Sequence, residues 1–322
     1  MLPPKDQLTI CFAHVAYRFD QQFPLRNTGI KAIHVRSREE MDKVIGDCDV
    51  LVCSGLWRND LPQIAPKLKF VQSISAGVNQ YDQAIMKAAG VRLASAQGAN
   101  ARAVSDHAMA LILALARRLP EARDNQAKKH WRGMIGDLST REDELAGKTL
   151  LVVGVGRIGG RLARLAKAFE MNVIGIRRDP ANGAEGADEI HGFDKLHALL
   201  PKADVVALTC ALTPETTGII DAKALSLLKP SAWLVNVARG PVVDEAALIA
   251  AMQADAFAGA ALDVTAEEPL PASSPLWEMP NVFITPHTGG ETRRYEDSVI
   301  DLLIENLDRR ARGETTLKNQ IV

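Results

Sequence analysis

The chain has 322 residues, enough to bury a sizeable core and to form two domains. Its formal net charge of −1 and its 24% content of charged residues argue against a general nucleic-acid or anionic-membrane surface. The four cysteines have neither zinc-ligand spacing nor the density of a disulfide framework, and no apolar run reaches the roughly 20 residues that cross a bilayer, so we expect a cytoplasmic protein with reduced thiols.

The first hundred residues alternate short apolar runs with polar or helical stretches. This rhythm indicates a parallel βαβ sheet, with strands predicted at 8–13, 50–54, 70–74 and 91–93. Apolar residues then recur at helical spacing, which predicts one long helix from residue 99 to about residue 129.

A second alternating set follows and predicts a second parallel sheet. Its strands are predicted at 149–153, 172–176, 205–208, 232–236, 260–262 and 282–285. Helices are predicted between them, for example at 157–169 and 245–253, and an amphipathic helix is predicted at 291–312.

The stretch TLLVVGVGRIGG (149–160) joins an apolar strand to a glycine-rich turn and a helix. Gly154 permits the tight turn, Gly156 lets a pyrophosphate approach the backbone, and Gly159 lets the helix pack close to the strand. The helix begins at Arg157 and Ile158, where backbone N–H groups face the phosphates. Strand, turn and helix together predict a dinucleotide site.

The second strand of that unit ends in Arg177 and Arg178, where an NAD-binding protein usually has an acidic residue for the adenosine ribose. Guanidinium groups bind a 2′-phosphate with short charge-assisted hydrogen bonds. The pair therefore favours NADP. Alternatively the two arginines are a solvated surface pair, and Asp179 recovers the ribose contact of NAD.

Five blocks of sequence, GVGRIGG, LTPETTGII (212–220), LVNVARGPVVDEAAL (234–248), LDVTAEEP (262–269) and FITPHTGG (283–290), carry a family resemblance. They resemble the D-isomer-specific 2-hydroxyacid dehydrogenases, in particular glyoxylate/hydroxypyruvate reductases. The resemblance covers nearly all of 99–290 and is looser in the first hundred residues, mainly at 70–82.

The resemblance implies a catalytic set of Arg239, Glu268 and His287, matching the family's substrate-binding arginine, its glutamate and its acid/base histidine. Reduction of a 2-oxo acid needs a proton for the developing alkoxide, and the ordinary histidine pKa of about 6.5 suits that role. A carboxylate orients the imidazole, and an arginine can clamp the substrate carboxylate.

Further positions carry over from the family. Val237 and Asp263 are expected to contact the cofactor, Asp263 at the nicotinamide carboxamide. Substrate contacts are expected at Leu56, Trp57, Ala76 and Gly77. The backbone at Ala76 and Gly77 would hold the substrate carboxylate, whereas Trp57 fits equally well as pocket wall or as packing.

The run Ser105-Asp106-His107 has the residue types of a hydrolase triad, but consecutive residues on a helix point away from each other. We therefore expect ordinary helix-surface and interface residues there. No metal site is predicted.

Together these observations predict an α/β protein with two Rossmann-like lobes and an active site in the cleft between them. A dinucleotide-binding domain is expected at 100–289, and a substrate-side, flavodoxin-like domain at 1–99 with 290–322. A homodimer is expected, with its interface on the 99–129 helix, and neither nucleic acid nor a membrane is an expected partner.

The expected reaction is hydride transfer from NADPH, or NADH, to a small 2-oxo acid such as glyoxylate or hydroxypyruvate. Two alternatives remain open. One is an NAD-dependent dehydrogenase for a bulkier apolar 2-hydroxy acid, and the other is a non-catalytic nucleotide-sensing protein on the same fold.

Overall fold

The computed structural model describes residues 2–322, with the side chain of Ser139 excepted. The chain forms two compact units. The first unit comprises the chain up to Asn100 together with Thr292–Val322, and the second unit comprises Ala101–Glu291.

The strands of the two sheets are β1 Thr9–Ala13, β2 Lys31–Val35, β3 Val50–Cys53, β4 Phe70–Ser73, β5 Arg92–Ala94, β6 Thr149–Val153, β7 Asn172–Ile176, β8 Glu189–His191, β9 Val205–Leu208, β10 Trp233–Asn236, β11 Gly259–Leu262 and β12 Val282–Ile284. The α-helices are α1 Phe19–Gln22, α2 Arg38–Asp42, α3 Leu61–Ile64, α4 Gln83–Ala88, α5 Ala101–Ala116, α6 Leu119–Ala127, α7 Arg157–Ala168, α8 Leu196–Leu199, α9 Ala222–Ser226, α10 Glu245–Gln253 and α11 Tyr295–Ala311.

The first unit contains a five-stranded parallel sheet in the order β2-β1-β3-β4-β5. This is the flavodoxin-like order. Alternate residues of its buried strands face opposite layers, so that Ile10 and Phe12 join one apolar cluster and Cys11 and Ala13 join the other. Helix α11 returns the chain to this unit, where the Tyr295 hydroxyl donates to the Ile74 carbonyl at 2.5 Å.

The second unit contains a seven-stranded parallel sheet in the order β12-β11-β10-β9-β6-β7-β8. Strand order reverses between β6 and β9, which is the point where doubly wound sheets bind dinucleotides. Both faces are apolar: Leu151 and Val153 pack on one side, and Leu150 and Val152 pack on the other. The predicted α/β fold with two Rossmann-like sheets is confirmed.

The prediction of one helix from 99 to 129 is wrong. Helix α5 ends at Ala116 and α6 begins at Leu119, with Arg118 between them at a left-handed φ of 51°. The cause is Pro120, which lacks an N–H donor and would clash with the preceding turn inside a continuous helix.

Two strands escaped prediction, β2 and β8. Each lies at an edge of its sheet and is largely part-exposed, and β8 has only three residues. Neither therefore shows the continuous apolar run that marks a central parallel strand. Within residues 2–322, no helix combines the length and apolarity needed to cross a membrane.

Candidate active site

Three neighbouring strands of the second sheet end at the same edge. β10, β11 and β12 are parallel, with Asn236 level with Leu262 and Leu262 level with Ile284. The segments that follow these strands therefore leave the sheet side by side, at the edge where α/β proteins bind ligands. They carry the residues predicted to be catalytic, namely Arg239, Glu268 and His287.

The side chains of His287 and Glu268 are in direct contact. His287 Nδ1 lies 2.7 Å from Glu268 Oε2, and Glu268 Oε1 accepts the backbone N–H of Thr265 at 3.2 Å. An ionised carboxylate can only accept hydrogen bonds, so Nδ1 carries a proton. The contact fixes the orientation of the ring, and Nε2 is then the nitrogen that can exchange a proton with a bound substrate.

The backbone of His287 is left-handed, with a φ of 55°. Its N–H donates to the Thr285 carbonyl at 2.9 Å, across Pro286. For a residue with a side chain this conformation costs about 1–2 kcal/mol, and such strain persists only where the surrounding structure holds it.

Asp263, the first residue after β11, holds this loop from both sides of His287. Its carboxylate is only 3% exposed. Oδ1 accepts the Thr285 hydroxyl at 2.6 Å and the Thr288 N–H at 3.0 Å, and Oδ2 accepts the Gly289 N–H at 2.9 Å. The buried carboxylate thereby ties three residues of the loop to the end of β11.

His107 on α5 completes this cluster. Its Nε2 lies 3.0 Å from Thr285 Oγ1 and 3.2 Å from Asp263 Oδ1. Burial alone would raise the pKa of the Asp263 carboxyl, but hydrogen bonds from His107, Thr285 and the Gly289 N–H outweigh burial and lower it. Asp263 is therefore held in its ionised form.

The expectation of ordinary surface and interface residues at 105–107 is wrong for two of the three. Ser105 is fully buried, with its hydroxyl directed to backbone carbonyls that include that of Ile158 at 3.0 Å. His107 makes the contacts just described, and only Asp106 is exposed, pairing with Arg161 at 2.5 Å. Their partners differ, so they form no triad.

A sequence signal for His107 exists. It lies three residues after Val104 and four before Leu111, and both of these are buried. Helical spacing alone therefore places it beside the apolar face of α5. Which partner it meets there depends on the register of β11 and β12, and the sequence does not give that register.

Arg239 follows β10 in a turn that Asn236 fastens. The Asn236 side chain accepts the Ala238 N–H at 3.0 Å and donates to the Arg239 carbonyl at 3.2 Å. The Arg239 guanidinium is partly buried and donates to the Ala238 carbonyl at 2.7 Å. At Gly240, an added Cβ would lie 1.9 Å from the Thr265 carbonyl oxygen, so this turn touches the segment that carries Glu268.

The glycine-rich turn follows β6. Gly154 has a φ of 106°, and an added Cβ there would lie 2.4 Å from the backbone of Cys210, at the start of the segment after β9. A Cβ on Gly159 would lie 2.5 Å from the Gly154 carbonyl, whereas one on Gly156 would meet nothing within 4 Å. Open space at Gly156, just before α7 begins at Arg157, fits the pyrophosphate of a dinucleotide.

Two other predicted cofactor residues lie along the same sheet edge. Ile158 is partly buried in the first turn of α7. Val237 is buried directly after β10, and its N–H donates to the Leu208 carbonyl at 3.2 Å.

Arg177 and Arg178 follow β7 and differ in their surroundings. The Arg177 guanidinium donates to the carbonyls of Asn182 and Gly183 at 3.1 and 2.8 Å, which ties down the next loop. The Arg178 side chain is 70% exposed, with Nε 3.4 Å from Glu215 Oε2. Arg178 is thus the more accessible cation of the two.

Asp179 is engaged in its own turn. Its carboxylate accepts the Ala181 N–H at 3.1 Å and the Asn182 side-chain amide at 2.9 Å. It caps the short helical turn at 180–182.

The four predicted substrate contacts belong to the first unit. Trp57 is 6% exposed, and its ring packs against that of Tyr81 with centroids 5.0 Å apart, so packing describes it better than an open pocket wall. Leu56 packs against the same apolar cluster. Ala76 and Gly77 follow β4 and are partly exposed, leaving their backbone within reach of solvent.

Near the same edge of the first sheet, three polar side chains form a chain of hydrogen bonds. The Ser54 and Ser75 hydroxyls lie 2.6 Å apart, and the Gln80 amide donates to Ser54 at 2.9 Å. Across residues 2–322, no group of three His, Cys, Asp or Glu side chains is arranged to hold a metal ion.

Comparisons with known proteins agree on one family. The family model described as D-isomer specific 2-hydroxyacid dehydrogenase, NAD binding domain, matches residues 109–289, which lie within the second unit. A glyoxylate/hydroxypyruvate reductase B from Yersinia enterocolitica is 37% identical over 256 residues, covering 78% of this chain and 77% of the relative.

A D-3-phosphoglycerate dehydrogenase from Methanocaldococcus jannaschii is 35% identical over 287 residues. The match covers 86% of this chain, but the chain spans only about half of that relative, 52% of its length. Among solved structures, a D-isomer specific 2-hydroxyacid dehydrogenase family protein from Aeromonas salmonicida superposes with a TM-score of 0.85 at 28% identity, covering 98% of this chain and 99% of that one.

Proposed function

The chain belongs to the D-isomer-specific 2-hydroxyacid dehydrogenase family, a family of NAD(P)-dependent oxidoreductases, and we propose that it reduces a small 2-oxo acid to the D-2-hydroxy acid, preferring NADPH. The observation that carries this proposal is the contact between His287 Nδ1 and Glu268 Oε2 at 2.7 Å. It supplies an oriented proton donor at the sheet edge where a doubly wound fold binds its ligands.

The chain's own residues divide the chemistry. When bound, the nicotinamide supplies the hydride. His287 Nε2 gives the proton to the alkoxide oxygen that forms at C2, and Glu268 keeps the ring oriented. Arg239 binds the substrate carboxylate with its planar guanidinium. The backbone N–H groups at Ala76 and Gly77 of the first unit are proposed as further substrate contacts.

Cofactor binding is assigned to the second unit. The first turn of α7, at Gly156, Arg157 and Ile158, would hold the pyrophosphate. Val237 and Asp263 would contact the nicotinamide half. Arg178, exposed and only loosely paired with Glu215, would bind a 2′-phosphate, which supports NADPH over NADH.

The substrate class is proposed to be small and polar, as in glyoxylate or hydroxypyruvate. The first unit carries hydroxyl and amide groups at Ser54, Ser75 and Gln80 near the carboxyl edge of its sheet. The Trp57 side chain, by contrast, is buried and packs within the first unit. Both observations favour a small hydroxylated substrate over a bulky apolar one.

NAD is a second candidate for the cofactor, favoured by one observation. The Arg177 guanidinium is engaged with two loop carbonyls, so only Arg178 of the pair is readily available to a phosphate. Arginine at a surface turn can be a solvated cation and nothing more.

A homodimer in the cytoplasm is part of the proposal. The interface predicted on 99–129 is extended here to the segment after α6, which exposes Trp131, with 97% of its surface accessible, together with Met134 and Leu138. Large apolar side chains left exposed within one short segment often mark an interface, and a second copy is the proposed occupant. Light scattering should give twice the 34.9 kDa chain mass for the wild type, and a Trp131→Glu, Met134→Glu variant should shift toward the monomer. A wild-type monomer would refute this part.

The test of function follows the absorbance of reduced nicotinamide with glyoxylate, hydroxypyruvate, pyruvate and phenylpyruvate, each with NADPH and with NADH. We expect the highest kcat/KM for glyoxylate or hydroxypyruvate with NADPH. A preference for NADH would overturn the cofactor assignment alone. Cofactor binding without turnover of any 2-oxo acid would overturn the reductase assignment and favour the nucleotide-sensing alternative.

A further inference from the structure

The carboxylate of Asp263 and the hydroxyl of Thr285 lie between two histidines that have different surroundings. His287 is exposed on the loop after β12, and His107 is partly buried on α5. The contacts that connect them run through Thr285 and Asp263. The positions of the protons in these hydrogen bonds decide whether His107 acts as a donor or as an acceptor.

The proton arrangement follows from counting donors. Thr285 has one hydroxyl proton, and it is directed to Asp263 Oδ1 at 2.6 Å. The contact of 3.0 Å between Thr285 Oγ1 and His107 Nε2 therefore needs its proton from the histidine. His107 Nε2–H is shared between Thr285 Oγ1 and Asp263 Oδ1, which lies at 3.2 Å. This holds for the neutral and for the charged ring alike.

The hydrogen bonds of Asp263 and Thr285 hold the loop that carries His287. Asp263 accepts N–H groups from Thr288 and Gly289 after His287, and the hydroxyl of Thr285 before it. These contacts hold the left-handed backbone that aims the His287 ring at Glu268. Without the donor on His107, Asp263 Oδ1 and Thr285 Oγ1 would each lose a partner, and the Asp263 carboxylate, which is only 3% exposed, could replace it poorly with water.

Packing reinforces the same arrangement. An added Cβ on Gly289 would lie 2.7 Å from Asp263 Oδ2 and 3.0 Å from His107 Cδ2. The loop therefore rests on the histidine ring as well as on the carboxylate, and a change at residue 107 acts on the loop through both shape and hydrogen bonding.

We propose that His107 is a positioning residue for the acid/base histidine: it fixes Asp263 and Thr285, and these hold the loop that sets the ring of His287 against Glu268. The proposal rests on the proposed function where it concerns turnover, and on geometry alone where it concerns the His287 ring.

The test uses full-length variants at residue 107. His107→Leu keeps most of the bulk and removes the Nε2–H donor, whereas His107→Gln places an amide N–H near the same point. The matched control is His197→Leu, the same substitution at an exposed histidine of α8. Thr285→Val, which removes only the hydroxyl, serves if His107→Leu fails to fold.

Two readouts are measured for each variant. The first is kcat and KM for the best 2-oxo acid, and the second is the pair of ¹⁵N chemical shifts of the His287 ring, assigned by their loss in His287→Gln. We expect His107→Leu to lower kcat on the order of 10- to 100-fold, as misplacement of a reacting group does. KM should stay within about twofold of the wild-type value. The ¹⁵N shifts of the His287 ring should change in His107→Leu. In His107→Gln, both most of the wild-type rate and the wild-type ring shifts should be restored.

Each other outcome has a defined meaning. Unchanged kcat and unchanged His287 ring shifts in His107→Leu would overturn the proposal. Weakened cofactor binding with unchanged His287 ring shifts would also overturn it, because His107 and Asp263 would then stabilise the bound cofactor and not the His287 ring. If the wild type reduces no 2-oxo acid, the proposed function fails, and the ring shifts alone decide the role of His107.

Discussion

The residues that follow β10–β12 and those that follow β6 and β7 leave the same edge of one sheet, yet their polar groups are held very differently. In the first region, here the His287 region (237–240, 263–268 and 285–289), side chains and backbone groups are bonded to one another within the protein. In the second, the Arg178 region (154–159 and 177–183), Arg177 and Asp179 are bonded to their own loop, but Arg178 is largely exposed and Gly156 faces open space.

The difference matches what each region has to do. Proton transfer depends on atom positions to within fractions of an ångström, so its groups need fixed partners. Attraction of a phosphate by a cation tolerates movement of both partners, so an exposed arginine is sufficient. Conservative substitutions should therefore be costly in the His287 region and mild in the Arg178 region.

The largest effect is expected from His287→Gln, which keeps a polar side chain but cannot exchange a proton near neutral pH. We expect kcat to fall roughly 10²- to 10⁴-fold, the usual contribution of general acid–base catalysis, with cofactor affinity, measured by fluorescence titration, close to that of the wild type. His197→Gln, at an exposed position of α8, is the matched control. Wild-type turnover in His287→Gln would remove this residue from the mechanism.

The same substitution in both regions sharpens the comparison. Arg239→Lys keeps the charge but loses the planar fork that binds a carboxylate in two places. We expect kcat/KM for the 2-oxo acid to fall on the order of 10- to 100-fold, the equivalent of about 1.4–2.8 kcal/mol. Arg178→Lys, measured in parallel, should change kcat/KM less than about threefold. Equal losses in the two variants would contradict the distinction between the regions.

Removal of the charge in the exposed region should act on the cofactor alone. Arg178→Ser is expected to weaken NADPH binding on the order of 10-fold, the effect of losing one charge-assisted hydrogen bond to a phosphate. NADH binding should be unchanged, because NADH has no 2′-phosphate. Isothermal titration with both cofactors measures this, and a parallel loss of NADH affinity would mean that Arg178 contacts the part the two cofactors share.

The smallest effect concerns stability and pH. The pKa of Asp263 is lowered in the folded chain, so its ionised form stabilises the fold above the ordinary aspartate pKa of about 3.9. That stabilisation is lost as the pH falls through the lowered folded-state pKa. Asp263→Asn should therefore lower Tm by a few degrees at neutral pH, for a loss of about 1–3 kcal/mol.

Thermal unfolding from pH 7 down to pH 3 would follow the difference in Tm between the wild type and Asp263→Asn. We expect the difference to narrow toward the acidic end, as the wild-type carboxylate takes up its proton. A constant difference across this range would show that the carboxylate's charge is not what stabilises the loop.

The features of this molecule that depend on local sequence pattern could be predicted. Buried parallel strands appear in the sequence as apolar runs. The glycines of 154–159 indicate where the backbone turns and where a helix packs closely against a strand. The family assignment rested on five separated blocks and is confirmed. The roles of Arg239, Glu268 and His287 remain predictions that the experiments above address.

What the sequence did not reveal depends on long-range register or on marginal signals. The strands β2 and β8 lie at sheet edges, where half-exposed residues show no continuous apolar run. Pro120 could have been recognised as a break in the 99–129 helix, because its ring is incompatible with a helix interior. The contact of His107 with Asp263 joins residues 156 positions apart, and only the packing of α5 against the sheet brings them together.

Gly240 carries no functional group, yet it decides how closely the turn of Arg239 can lie against the segment of Glu268. With any side chain at all, its first carbon would fall 1.9 Å from the Thr265 oxygen. In a library of random variants selected for activity, position 240 should consequently be depleted of every replacement as severely as position 287. A position whose residue has no functional group can therefore be as intolerant of substitution as a catalytic one.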